Sequence, residues 1–320
     1  WYQTTCPECG GEARRETDVS DTFLDSGWYF LRYPSTDFED TPFDPEITRH
    51  WLPVDAYIGG NEHAVLHLLY SRFLTMVLKD LGYLDFEEPY EVFRAHGLII
   101  ADGAKMSKSR GNVIIPDPII EEFGADAFRI YLMFLGPFEE GGDYRTEGIQ
   151  GPYGFLHRLW DTALNANEGA PDPNVERKVH QTVKQVTEQL PELGYNTSIA
   201  AMMECLNTIR SGGRQATRTE VEPLIAMTAP FAPHLAEEVW EHFGHEKSIF
   251  EGSNWPSFDE SKIIESQVSV AVQVNGKLRG TISVPQDAAE DDVIIAAREE
   301  ENVARYLDGV EERRIVHVPG

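Results

Sequence analysis

Residues 51–100 alternate in a way few folds accommodate. A strand-forming run, WLPVDAYIGG, precedes apolar positions at helical spacing (Val65, Leu68, Leu69, Phe73, Met76 and Val77), which Gly82 stops. A second strand-forming run, VFRAHGLII, follows and reads as a short buried strand. A strand, helix, strand order predicts a parallel α/β unit, whose ligands sit at the carboxyl ends of the strands. The second strand leads into the loop ADGAKMSKSRGN. Upstream, DTFLDSGWYFLRY reads as a further strand-forming piece, and residues 1–19 as the end of a small module with Cys6 and Cys9 in a CPECGG turn.

Beyond Pro116 the pattern changes. Short helices are expected at 119–124 and 125–135. Long amphipathic stretches follow near 145–168, 174–190, 195–211, 217–229 and 232–243, the signature of a helical bundle. From about Gln267, VSVAVQVNGKLRGTISVP alternates apolar and polar residues across an Asn-Gly turn, which predicts a hairpin. Residues 289–306 read as helical and RRIVHVP as a last strand. The expected domains are a CxxC module (1–19), an α/β part with the lysine loop (20–124), a bundle (125–262) and a small α+β domain (263–320). With 320 residues, more than one domain is expected. No apolar run approaches the roughly 20 residues that span a bilayer, so no membrane partner is expected. Three cysteines cannot build a disulfide framework, and a reducing, cytoplasmic setting fits. The first residues show no secretory signal and no initiator Met, so the chain reads as beginning mid-protein.

Charge pulls against the motifs. Lys plus Arg is 27 against 54 Asp plus Glu, a net charge of -27. Taken alone, that opposes a phosphate-bearing partner. Surface carboxylates also solubilise, and their excess, with only eight of the 27 basic residues being lysine, fits a salt-adapted, halophilic protein. Each surviving basic cluster is then more informative. Lys105-Met106-Ser107-Lys108-Ser109 places two ammonium groups on a loop flanked by Gly103 and Gly111, able to fold over a triphosphate. In adenylation, negative charge builds on the departing pyrophosphate, and cations held there stabilise the transition state more than the ground state. In IGGNEHAVLHLLYSRF, Gly59 and Gly60 let backbone approach a ligand, and Glu62 follows at a helix start. His63 and His67 are i and i+4 on one helical face, but no third zinc ligand is near. Cys6 and Cys9 are half of a tetrahedral zinc site or a metal-free turn.

KMSKS is, letter for letter, the signature loop of class I aminoacyl-tRNA synthetases, and IGGNEHAVLHLLYSRF resembles a segment of the leucyl-tRNA synthetases. ETDVSDTFLDSGWYFLRY is similar to a further stretch of that family. So are the bundle segments YNTSIAAMMECLN and MTAPFAPHLAEEVWEHFG, and the tail VSVAVQVNGKLRGTISVPQDA. The resemblance implies half of a Rossmann-like class I catalytic domain, an anticodon-binding-type helical bundle and a small α+β C-terminal domain. It implies ATP with Mg2+, leucine and leucine tRNA as ligands. Lys105 and Lys108 would then serve the phosphates, with Met106, Ser107 and Ser109 beside them. Gly59, Gly60, Glu62 and His63 would lie at the adenosine. Ser26, Tyr29, Tyr57 and His67 would enclose leucine, with Gly27 standing where the family often has serine. Lys277 and Arg279 would meet tRNA phosphates. An aliphatic pocket discriminates weakly, one methylene being worth about 1–3 kcal/mol, and the family adds an editing domain, absent from this sequence. A HIGH-type motif is absent too, so a missing N-terminal half, on the same polypeptide or a separate subunit, is an expected partner. The alternatives are a non-catalytic tRNA-binding subunit or paralogue, and a valine or isoleucine enzyme, which HAVLHLLY and the tail disfavour.

The charge makes a prediction. Screening reaches about 8 Å at 0.15 M salt and about 3 Å at 1 M, so molar salt relieves self-repulsion. The melting temperature should climb between 0.1 M and 2 M KCl in a circular-dichroism melt; an equal or lower value at 2 M would leave the acidity unexplained.

Overall fold

A computed structural model describes residues 1–18, 23–101, 103–252, 254–263, 267–285, 288–310 and 313–316. The chain forms two compact units, one of residues 1–153 with 193–197, the other of 154–192 with 198–320.

The first unit opens with an antiparallel hairpin, β1 (Gln3–Thr5) and β2 (Glu12–Arg14). Cys6 and Cys9 lie in its turn, where Gly10 takes φ +73°. Short helices α1 (Phe23–Ser26), α2 (Tyr29–Arg32) and α3 (Pro45–Trp51) follow. The strand expected in DTFLDSGWYFLRY is therefore helical. Phe30 and Leu31 are both buried, which a half-buried strand with alternating faces does not allow. Asp44 caps α3, its carboxylate accepting from the N–H groups of Glu46 and Ile47, with Pro45 in the first turn.

β3 (Val54–Gly60), α4 (His67–Asp80) and β4 (Tyr90–His96) form the expected strand, helix, strand unit, β3 and β4 parallel with Gly60 opposite His96. Only part of the apolar stripe of α4 meets the core, Leu68 packing against it. His67, Ser71 and Thr75 are buried, whereas Leu69, Phe73 and Met76 are 56%, 62% and 48% exposed. The inner hydroxyls cost little to bury, because Ser71 donates to His67 O and Thr75 to Ser71 O. VFRAHGLII is not one buried strand. It breaks at Gly97, where a Cβ would lie 2.1 Å from the carbonyl carbon of Glu140. β5 (Leu98–Ala101) then joins another sheet, pairing antiparallel with β6 (Ala104–Lys105) and parallel with a later strand at 141–144. Between them lie α5 (Pro116–Phe123) and α6 (Ala125–Phe134), and β7 (Gly141–Tyr144), which periodicity did not suggest, closes that sheet.

α7 (Gln150–Leu164), α8 (Pro173–Gln189), α9 (Tyr195–Ile209), α10 (Arg218–Thr228) and α11 (Pro233–His242) follow the expected helical stretches closely. In the second unit, Leu159, Val183, Met202, Leu224 and Val239 are at most 1% exposed and form its helical core. The short α12 (Glu260–Ile263) follows. The hairpin of β8 (Gln267–Val274) and β9 (Lys277–Pro285) turns at Asn275 and Gly276, both at positive φ (54° and 74°), as a two-residue turn of this type requires. α13 (Glu290–Glu299) and α14 (Glu301–Leu307) come next. Residues 313–316 are not a strand, and the rest of RRIVHVP lies outside the described residues.

One buried carboxylate ties two bundle helices together. Glu220, 1% exposed, accepts from the N–H of Asp172 (2.8 Å), which caps α8, and from that of Thr217 (2.9 Å), which caps α10. Arg214 grips both its oxygens at 2.8 and 3.0 Å. Burial pushes this carboxyl up, but Arg214 and the two N–H groups outweigh it and hold the group below the usual range. Glu220→Ala should destabilise by about 2–3 kcal/mol, less than a fully buried pair because Arg214 stays 30% exposed. A depressed carboxyl stabilises above its unfolded value and loses that contribution as pH falls through the folded value. In urea unfolding the gap between wild type and variant should therefore shrink below about pH 4.5; a gap independent of pH would contradict the role.

Candidate active site

The carboxyl end of β3 carries Tyr57, Gly59 and Gly60. The glycines were expected just after the strand; they are its last two residues, paired with Ala95 and His96 of β4. A tight turn at 61–64 follows, holding Glu62 and His63, and α4 begins only at His67. His63 and His67 therefore do not share a helical face, and their rings meet edge to face at 6.4 Å. A Cβ at Gly60 would lie 2.5 Å from Glu62 Oε2, so the carboxylate occupies the space that this glycine leaves open. The Glu62 carboxyl is held below its usual range, chiefly by its own backbone N–H, with Lys105, His63 and His96 adding to it. Glu62, His63 and Lys105 are thus brought into one electrostatic neighbourhood, joined by His96, which sequence reasoning missed. Its signal was the strand register, which sets it beside Gly60.

Behind this cluster lies an aromatic wall. The His67 ring is hydrogen-bonded on both nitrogens, Nε2 to Ser26 O at 2.7 Å and Nδ1 to the Tyr57 hydroxyl at 2.7 Å. A carbonyl only accepts, so Nε2 carries the proton, and in the neutral ring Nδ1 accepts from Tyr57. Tyr29 lies 5.7 Å from His67, ring centre to ring centre. Ser26, Tyr29, Tyr57 and His67 therefore lie together, with Ser26 contributing its backbone carbonyl to the ring. Tyr90 and Phe93 of β4, also missed, stack on Tyr57 at 4.4 and 5.4 Å. Burial raises the phenols of Tyr29, Tyr57 and Tyr90, which keeps the wall uncharged at neutral pH.

The lysine loop runs from β6 through Met106 and Ser107 into a tight turn at 108–110, with Gly111 at φ +69°. Lys105 and Lys108 are exposed. Asn112, unnoticed in the sequence, clips the loop shut. Its Oδ1 accepts from Ser107 N at 2.9 Å, and its Nδ2 donates to Ala101 O at 3.2 Å and Lys105 O at 3.3 Å. Ser107 and Ser109 join their hydroxyls at 2.7 Å.

The Cys6 thiol is drawn below its usual range by the N–H groups of Cys9 and Glu8. Two thiols are half of a tetrahedral donor set, and no group of three or more His, Cys, Asp or Glu residues among those described is placed to hold a metal. In the second unit, Lys277 is exposed beside the hairpin turn. The Arg279 guanidinium lies 3.9 Å over the Tyr306 ring and donates to its hydroxyl at 2.9 Å, so that side chain is largely engaged within the tail.

Comparison with known proteins adds a second line of evidence. Residues 6–141 match the family described as tRNA synthetases class I (I, L, M and V), and residues 172–295 the anticodon-binding domain of tRNA ligase. The leucine--tRNA ligase of Geotalea uraniireducens is 45% identical over 341 residues, covering all of this chain and 41% of that protein. That of Thermotoga maritima is 44% identical, covering 99% of this chain and 41% of its own length. Along its whole length the chain is similar to leucine--tRNA ligases. It spans about two fifths of the length of those relatives. LeuRS of Agrobacterium radiobacter K84, crystallised as a ternary complex with tRNA and LeuAMS, superposes with a TM-score of 0.76 at 35% identity, over all of this chain and 44% of that one. Methionyl-tRNA synthetase of Mycobacterium tuberculosis (TM-score 0.53, 18% identity, 75% of this chain and 52% of that one) shares the fold. The mixed α/β and helical regions are those of a class I synthetase. Among the described residues no helix is long and apolar enough to cross a membrane.

Proposed function

We propose that this chain supplies the leucine pocket and the lysine loop of a leucine--tRNA ligase, which forms leucyl-adenylate from leucine and ATP and then transfers leucine to its tRNA. The observation that carries this is the aromatic wall of Tyr29, Tyr57 and His67 beside the charged group of Glu62 and Lys105. An aromatic wall suits an aliphatic side chain. β3, α4 and β4 then form part of a Rossmann-like nucleotide fold, with ATP at the strand ends. Gly59, Gly60 and Glu62 hold the ribose, with His63 near the adenylate.

A leucine carboxylate oxygen attacks the α-phosphorus while the bond to pyrophosphate breaks. Lys105 and Lys108 stabilise the charge gathering on the leaving group, and Asn112 holds the loop that bears them. A tRNA hydroxyl then attacks the leucyl carbonyl carbon and AMP leaves. Magnesium would travel with the triphosphate, because the described residues offer no cluster of ligands for it; when bound it neutralises phosphate charge. Two thiols alone do not make a zinc site, and no step passes through one.

In the complete enzyme, Lys108→Ala should slow leucine-dependent pyrophosphate exchange by about 100-fold, losing one preorganised donor being worth about 2.7–4 kcal/mol. Leucine binding without ATP should be unchanged. A loss below about threefold would remove the role from Lys108.

A further inference from the structure

Tyr57 is only partly buried and its strand neighbour Ile58 is 55% exposed, so the core does not enclose the Tyr57 ring. Its hydroxyl nevertheless has to sit at one point to reach His67 Nδ1 at 2.7 Å. That hydroxyl lies at the far end of the ring from the Cα–Cβ bond. A small swing about the bond becomes a large displacement there, and a hydrogen bond weakens steeply as its geometry worsens. Something must hold the plane of the ring.

Tyr90, the first residue of β4, is placed to do so. It is 7% exposed, and its ring lies 4.4 Å from that of Tyr57 at an interplanar angle of 14°. Phe93, the register partner of Tyr57, is the looser neighbour at 5.4 Å and 29°. Tyr90 is itself backed by Phe30 of α2, which is 4% exposed and 5.4 Å away. Phe30 also meets the Tyr29 ring edge to face at 5.9 Å, so one buried pair supports both tyrosines of the wall. The Tyr90 hydroxyl takes no part in this. It is buried, comes near those of Ser71 and Tyr29, and completes a hydrogen bond with neither. An unpaired buried hydroxyl costs stability, so what the site draws from this residue is the flat face of its ring.

We propose that Tyr90 is a positioning residue for the leucine pocket: its ring braces Tyr57 against His67 and so sets how tightly leucine is held. The inference rests on the leucine-pocket reading for its ligand, and adds to it a residue that acts through Tyr57. An aliphatic side chain keeps the same contacts in the ground state and the transition state. The brace therefore contributes uniform binding, whose loss raises the KM for leucine and leaves kcat in place.

The test compares Tyr90→Leu, which keeps an apolar side chain but no flat face, with Tyr90→Phe, which keeps the ring and drops the hydroxyl. In the complete enzyme, Tyr90→Leu should raise the leucine KM of pyrophosphate exchange about two- to twelvefold, the worth of one stacked aromatic pair. Its kcat and its KM for ATP should be unchanged. In the chain with ¹⁵N-labelled histidine, the Nδ1 signal of His67 should move in Tyr90→Leu in the direction it moves in Tyr57→Phe. Tyr90→Phe should match wild type in both readings and melt at least as high. A residue that merely fills the core would lower the melting temperature of the Leu variant without moving the His67 signal or separating KM from kcat, and that result would overturn the proposal. A raised leucine KM in Tyr90→Phe would overturn it too, which keeps the test decisive if the Leu variant does not fold. Wild-type enzyme that exchanges pyrophosphate with another amino acid and not with leucine would overturn the leucine reading, while the His67 signal still judges the brace.

Discussion

The first unit depends on a single imidazole. His67 is the first residue of α4, and its ring reaches Ser26 at the end of α1 on one side and Tyr57 of β3 on the other. Three elements distant in sequence are thereby held by two hydrogen bonds of 2.7 Å. Because the partner on one side is a carbonyl, Nε2 carries a proton, and in the neutral ring Tyr57 is then the donor to Nδ1. Stacking of Tyr57 on Tyr90 and Phe93 then sets the wall's other face. Removing the imidazole would leave a part-buried carbonyl and a part-buried phenol without these hydrogen bonds, the costly half of hydrogen-bond energetics.

The charged side of the site obeys a different constraint, the close approach of backbone. Gly60 leaves the space that the Glu62 carboxylate fills. Gly97, where the chain leaves β4, lies so near residue 140 that only glycine fits. That break steers the chain from one sheet to the next and delivers the lysine loop, which Asn112 closes. A parallel register that ends in glycine and histidine, followed by a clipped loop, brings Lys105 near the Glu62 carboxylate with little help from the hydrophobic core.

Much of this was legible in the sequence, and the failures share a physical cause. The bundle helices followed from apolar periodicity, because each buries one continuous stripe. The β8–β9 turn followed from Asn-Gly, because both residues need positive φ. Ser26, Tyr29, Tyr57 and His67, singled out through resemblance and proposed as the pocket, lie in contact with one another. Reasoning failed where packing overrules local pattern. The aromatic run near Tyr29 looked strand-like but is helical, because Phe30 and Leu31 must both face inward. α4 buries hydroxyls and exposes Leu69, Phe73 and Met76, so only the Leu68 side of its hydrophobic stripe marks the inward face. His96, Tyr90 and Asn112 were invisible because their importance comes from register and hydrogen bonding, not from any motif.

The tautomer of His67 is the most direct test of how the pocket is built. In a chain with ¹⁵N-labelled histidine, the His67 resonances can be assigned by their loss in His67→Asn and the ring protonation read from long-range ¹H–¹⁵N correlations. A neutral ring protonated at Nε2 is predicted, with the Nδ1 signal alone moving in Tyr57→Phe as its donor disappears. A ring protonated at Nδ1, or an Nδ1 signal indifferent to the Tyr57 hydroxyl, would contradict the proposed clamp between Ser26 and Tyr57.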